Sequence, residues 1–307
     1  MDMAQHKAEI ECLIIGGGPA GLTAATYLGR FRRRALLVDA GASRAAWIPE
    51  THNLIGFAEG ISGPVLLDRL RKQADLYDSQ RLDGQIDSLE VSSSGGFRAT
   101  IGEQTIVAQR ILLATGGLDV EPDLPGIRQA VETGLVRYCP ICDGFEAKGR
   151  RVALIAYGKC RIKEALLLRG YTADLTVLTL GREMQLPDDE QHQLQGAGIK
   201  IVRDPVVRLS REVDGIGVWP QHAGNPAVFD ILYSALGTRI ASSLATRLGA
   251  EADEDGALLV DRHQRTNVPG LYAAGDVVQG LSQINIAAAQ AAIAATSINA
   301  ELPPLRY

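Results

Sequence analysis

The chain has 307 residues, 46% hydrophobic and 22% charged, long enough for about two domains that each bury a core. A net charge of −5 leaves no basic face for nucleic acid, and no stretch approaches the roughly 18 uninterrupted apolar residues of a membrane helix. An acidic N-terminal stretch running into a glycine-rich turn does not have the form of a signal peptide, so a cytoplasmic protein is expected.

Residues 10–21 read IECLIIGGGPAG, a buried strand entering a turn. The helical run LTAATYLGRF follows, then the strand ALLVD ending at Asp39. This is a G-x-G-x-x-G fingerprint in the strand, turn, helix, strand context that dinucleotide binding requires. Gly16 permits the tight turn, and Gly18, with Pro19 and Ala20 behind it, lets a pyrophosphate approach the helix N-terminus. Gly21 lets helix and strand pack closely, and Asp39 is placed to bond a ribose hydroxyl. RILLATGG (110–117) is a second buried strand, ending in the small-residue turn Ala114, Thr115 and Gly116.

RYCPICDGFEAKG (137–149) holds Cys139 and Cys142 at a spacing that can close a small disulfide ring. The start of a helix there would favour thiolate, and Asp143 is within reach of a proton on the leaving thiol. Zinc is the weaker reading, because no second C-x-x-C or H-x-x-x-H exists, and no metal site is assigned. Cys12 reads as a buried structural thiol, and Cys160, beside Lys159 and Arg161, is assigned no chemistry.

LIAYGKCRIKEA (154–165) begins like a second nucleotide turn. A shift of 140 residues lays Ile15 on Ile155, Gly18 on Gly158, Ala25 on Ala165 and Leu28 on Leu168. The same shift lays Gly16 on Ala156, Gly21 on Arg161 and Asp39 on Thr179. The inserted region therefore reads as a second nucleotide-type fold whose binding turn has degenerated. Lys159, Arg161 and Lys163 could hold phosphates in another pose, even those of a second flavin, or form a solvated helix face. GLYAAGDV (270–277) closes on Gly275 and Asp276, and LSQINIAAAQAAIAATSINA (281–300) has helical spacing.

The ordered set GGGPAG, ATGG, CPICDG and AAGDV resembles the thioredoxin reductase family of small flavoproteins over nearly the whole chain. The resemblance implies an α/β fold of two Rossmann-like, three-layer domains, the second inserted in the first. The FAD domain would span 1–116 and 241–307, and the domain carrying the C-x-x-C would span 117–240. It nominates Asn53 in HNLIGF as a flavin-loop residue and Gln283 and Ile284 at the helix that begins against the flavin. It also implies that Cys142 faces the flavin, Cys139 attacks a thioredoxin-like partner disulfide, Asp143 acts as acid–base group, and the protein is a homodimer.

The family's NADPH users carry G-x-G-x-x-A and a His-Arg-Arg cluster where this chain has AYGKCR and TLGRE, with Arg182 the one basic residue of the latter. Ser282 stands where the family has an Arg. The resemblance is therefore to the pyridine-nucleotide-independent branch, with NADPH not expected and ferredoxin a candidate donor. The basic run Arg150, Arg151, Lys159, Arg161 and Lys163 would complement an acidic ferredoxin. In that branch an aromatic residue can cover the flavin, and Tyr307 in the tail ELPPLRY is the candidate. A dithiol oxidase using oxygen, an NADPH enzyme with a rebuilt site and a non-catalytic flavin-binding scaffold are the competing readings.

Overall fold

The computed structural model describes residues 10–93, 95–158 and 162–305. Lys159, Cys160, Arg161 and Tyr307 lie outside the described residues, and with them the phosphate-holding and flavin-covering expectations placed there. The chain divides into two compact units. One comprises the residues up to Ala46, Gly63–Leu118 and the residues from Arg239 on; the other comprises Trp47–Ser62 and Asp119–Thr238. The sequence reading kept residues 47–62 within 1–116; the contact pattern groups the Trp47–Ser62 segment with the second unit. Its attachments run to the second unit, through a 3.1 Å contact of His52 Nδ1 with Glu146 Oε1 and the packing of Pro49 against Gly134.

The first unit is built on the strand Ile10–Ile15, buried along all but its first residue, as a strand covered on both faces must be. It pairs in parallel with Ala35–Asp39 on one side and with Gln104–Leu113 on the other. Gln80–Asp83 extends the sheet beyond Ala35–Asp39, and Leu271–Ala273 pairs in parallel with the end of Gln104–Leu113. The ten-residue strand serves two layers. Its first half pairs antiparallel with Phe97–Ile101, which continues to Ser88–Val91, while its second half lies inside the parallel sheet. The helices Pro19–Arg30 and Ile284–Glu301 pack together through Ala24, Ala25, Ala291, Ala294 and Ala295, small side chains that let the axes approach. At the far end of this pair Arg33 Nη1 bonds Glu11 Oε1 at 3.0 Å and the Pro303 carbonyl at 2.8 Å. Its Nε donates to Asn299 Oδ1 at 2.7 Å.

The second unit carries a five-stranded parallel sheet in the order Lys200–Val202, Leu175–Leu178, Val152–Ile155, Ile231–Ser234, Val136–Arg137. Alternation along Val152–Ile155 explains its three layers. Val152 and Leu154 pack toward the helix Ile162–Arg169, in a cluster with Ile162, Ala165 and Leu168. Ala153 and Ile155 join Ile127, Val131, Leu209, Ile216 and Val218 on the other face. That face is covered by the helix Ile127–Glu132 and an antiparallel ribbon of Val206–Glu212, Gly215–Pro220 and Ala227–Phe229. Both units are thus α/β folds of the Rossmann-like kind the sequence implied. No helix among the described residues is long and apolar enough to cross a membrane.

Candidate active site

In the first unit three turns follow the C-terminal ends of neighbouring strands: Gly16–Gly18 after Ile10–Ile15, Ala114–Gly116 after Gln104–Leu113, and Ala274–Asp276 after Leu271–Ala273. Parallel pairing brings them to one edge of the sheet, where such folds hold ligands. Gly16 has φ +116°, and a Cβ there would lie 2.3 Å from the Ala114 carbonyl oxygen. A Cβ on Gly21 would lie 1.8 Å from the Gly16 carbonyl oxygen, so helix and turn touch backbone to backbone. Gly18 differs: a Cβ there would meet Ser43 Oγ alone, at 3.3 Å. Packing within the chain does not force glycine at that position, whereas a ligand lying over the turn would. Pro19 opens the helix Pro19–Arg30, whose first turn has no acidic residue and no side-chain cap. Its leading N–H groups favour an anion. These features fit the pyrophosphate of a dinucleotide.

The acids behave as placed residues. Asp39 Oδ1 accepts the Gly41 N–H at 2.9 Å, and its Oδ2 is 3.7 Å from Arg71 Nη2. Asp276 Oδ2 accepts from Arg44 Nη1 at 3.1 Å. Gly275, at φ +84°, donates its N–H to Gln290 Oε1 at 2.8 Å, and a Cβ there would lie 3.0 Å from Ala20 Cβ. Thr115 Oγ1 donates to the Ala241 carbonyl at 2.6 Å, and Gly116 stands at φ +64°. Gln283 occupies the N-cap position of the helix that Ile284 begins, without a side-chain cap bond. Arg44, Arg71, Gln290 and Gly17, where a Cβ would lie 2.0 Å from Asp39 Oδ2, escaped sequence reasoning. A third consecutive glycine was the one signal available for any of them. Asn53, whose Oδ1 accepts from Thr51 Oγ1 at 2.8 Å, belongs to the second unit.

Cys139 and Cys142 form a disulfide in the second unit. The helix expected after Cys139 is one turn, Pro140–Asp143, followed by the 3-10 turn Gly144–Ala147. A single turn aligns few peptide dipoles, so the macrodipole argument gives way to a specific bond: the Cys142 N–H donates to Cys139 Sγ at 3.2 Å. Asp143 is held from two sides. Tyr233 Oη donates to its Oδ1 at 2.9 Å and to its carbonyl at 3.0 Å, while Arg137 Nη1 lies 3.3 Å from Oδ2. Tyr233 and Arg137 face each other in the parallel register of Ile231–Ser234 with Val136–Arg137. Burial pushes the Asp143 carboxyl above the usual carboxylate range, with Arg137 and the Tyr233 hydrogen bond opposing. Burial, then the neighbouring Asp143 charge, pushes the Tyr233 phenol up. Cys12 is fully buried, and burial pushes its thiol up to about 12, which suits a packing role.

The described part of the second nucleotide-type turn, 156–158, is bonded to the segment that follows Leu175–Leu178. After Val152–Ile155 comes buried Ala156, then Tyr157 and Gly158 at φ +64°. The Gly158 N–H donates to the Glu183 carbonyl and the Gln185 N–H to the Gly158 carbonyl, both at 2.8 Å, as a bridge across Met184. The Arg182 guanidinium lies 4.6 Å from the centre of the Tyr157 ring. The basic surface proposed for a ferredoxin is also smaller than the sequence suggested, because Arg151 Nη2 is committed to Asp230 Oδ1 at 2.6 Å.

A family model described as pyridine nucleotide-disulphide oxidoreductase matches residues 10–292. A thioredoxin reductase of Listeria innocua is 29% identical over 304 residues, spanning 92% of this chain and 90% of its own. The crystal structure of HlmI is 28% identical with a TM-score of 0.86, covering 96% of this chain and 93% of that one. The crystal structure of the atypical thioredoxin reductase TRi from Desulfovibrio vulgaris Hildenborough is 32% identical with a TM-score of 0.53, covering 95% and 99%.

Proposed function

Since the chain belongs to the pyridine nucleotide-disulphide oxidoreductase family and is a flavin-dependent oxidoreductase of thioredoxin reductase type, we propose that it reduces a thioredoxin-like protein with electrons from a non-nicotinamide donor such as ferredoxin. The observation that carries the donor assignment is Gly158, whose N–H is spent on the Glu183 carbonyl, together with Arg182, the one basic residue of TLGRE, whose guanidinium lies over the Tyr157 ring. A nucleotide phosphate would have to displace both.

FAD, when bound, would supply the ability to take electrons singly and pass them on as a pair. Gly16, Gly18, Pro19, Ala20 and Gly21 would carry its pyrophosphate. Asp39 and Asp276 would take hydroxyls, with Ala114–Gly116, Gly275, Gln283, Ile284 and Asn53 as the remaining contacts. The chain's own chemistry lies at the disulfide. Cys139, with the Cys142 N–H on its sulfur, is the thiolate that attacks the partner's disulfide, and Cys142 then closes the ring and releases the partner. Asp143, whose carboxyl burial pushes above the usual carboxylate range, is the group that would give a proton to the partner's leaving sulfur. A homodimer and a thioredoxin-like partner belong to this reading.

A second reading has one observation in its favour, the pyridine nucleotide in the family's own description. Anaerobic mixing with NADPH, NADH and reduced ferredoxin, followed at the flavin band near roughly 450 nm, separates the two. Bleaching by ferredoxin alone is the expected result. Fast bleaching by NADPH would overturn the donor assignment and mean that the Gly158 turn opens.

A further inference from the structure

Reducing the Cys139–Cys142 disulfide to two thiols takes up two electrons and two protons, and reducing a partner disulfide returns the enzyme's cysteines to the ring while the partner keeps both. The electrons come through the reduced flavin; the protons must come from water. Asp143 is poorly placed to collect them directly. Its side chain is 16% exposed, and its two oxygens are engaged by Tyr233 and Arg137.

One turn further along the chain, Glu146 makes two unequal contacts. Its Oε1 lies 3.1 Å from His52 Nδ1, while its Oε2 is buried with no hydrogen-bond partner among the described residues. A buried carboxylate oxygen without a donor is costly unless a proton or a water reaches it. His52 is more open, at 41% exposure, and its other nitrogen lies 3.6 Å from Glu50 Oε2 on a side chain 57% exposed. The order of increasing burial is thus Glu50, His52, Glu146, Asp143. An imidazole can take a proton on one nitrogen and release one from the other.

We propose that His52 and Glu146 form a proton relay between solvent and the Asp143 beside the redox disulfide. In this relay Glu146 acts through Asp143. Its charge is felt there, since the Glu146 carboxylate is among the groups that hold the Asp143 proton on, while Arg137 and Tyr233 act in the opposite sense. The charged groups around His52 are Glu50 and Glu146, so the imidazole has acceptors on both sides. Pinning the 51–61 segment is a lesser role for the pair, because that segment is already closed by two backbone bonds between Thr51 and Ile61.

The inference rests on Cys139–Cys142 being the redox pair, and the experiment keeps the two apart. The flavin-loaded protein is mixed with dithiothreitol, quenched at intervals with an alkylating agent, and the labelling of Cys139 and Cys142 is counted by mass. His52→Ala and Glu146→Gln are each expected to slow the exchange by about 10- to 100-fold, toward the lower end of what a positioned proton-transfer group contributes. Added imidazole is expected to restore His52→Ala and to leave Glu146→Gln slow, a readout that a merely structural contact would not produce. Both variants exchanging within about twofold of the wild type would overturn the relay, as would His52→Ala that imidazole fails to rescue while bound flavin stays at the wild-type level. A wild-type disulfide that dithiothreitol does not reduce would instead remove the redox assignment on which the relay stands.

Discussion

Tyr233→Phe is the sharpest test of how the second unit holds Asp143. The ring is fully buried, and phenylalanine fills the same volume, so the change removes one hydroxyl and little packing. That hydroxyl donates to Asp143 Oδ1 at 2.9 Å and to its carbonyl at 3.0 Å. A hydrogen bond to a charged group contributes about 1.5–3 kcal/mol, so we expect a loss of about 2 kcal/mol. At roughly 3 °C per kcal/mol for a unit of this size, the thermal midpoint should fall by about 6 °C. Losing a donor to the ionised form should also push the Asp143 carboxyl higher still. The assay is a double-mutant cycle of Tyr233→Phe with Asp143→Asn by thermal unfolding. In the Asn background the bond is neutral, and the cost of Tyr233→Phe should drop to about 1 kcal/mol. An equal cost in both backgrounds would refute the reasoning, because the phenol would then be serving something other than the carboxylate.

Gly21→Ala should yield colourless protein, since the new methyl would lie 1.8 Å from the Gly16 carbonyl oxygen and force the turn open. The check is bound flavin per chain after gel filtration, and full occupancy would contradict it. Arg33→Ala leaves Glu11 buried without its closest cation and should cost about 3–5 kcal/mol, read as a lowered unfolding midpoint. For Asp143 the sign of the pH effect follows from a carboxyl raised above its ordinary 3.8. Its contribution to stability is present below that value and is lost as pH rises through the folded value. The midpoint of Asp143→Asn relative to wild type should therefore climb as pH goes from below about 3.8 toward neutral, and a flat or falling difference would count against it.

The first nucleotide turn was legible because its requirements are local. Gly16, Gly18 and Gly21 answer to backbone approach within a dozen residues, and the apolar run of Ile10–Ile15 answers to burial on both faces. The departure of the second turn from the glycine pattern was visible for the same reason, in Ala156 and Arg161 where the first turn has Gly16 and Gly21. Tyr233 and Arg137 could not be read this way. Tyr233 reaches Asp143 from 90 positions away through a sheet register that sets it beside Arg137, and nothing in the local pattern of ILYS marks the tyrosine. The grouping of Trp47–Ser62 with the second unit was not visible in the sequence, because it rests on contacts far along the chain, His52 with Glu146 and Pro49 with Gly134, and not on chain order. The length of the helix after Cys139 also escaped, since Gly144 ends it after one turn and no charge or proline announces the stop.

The Arg33 clamp has a practical consequence for handling the protein. Arg33 enters the strand Ala35–Asp39 from its starting end, and the helix Ile284–Glu301 runs about 27 Å from the Gln283 end to reach it. Pro303 is therefore fastened at the sheet edge opposite the glycine turns. A reporter placed at Pro303 would sit at the edge of this unit's own sheet opposite its glycine turns.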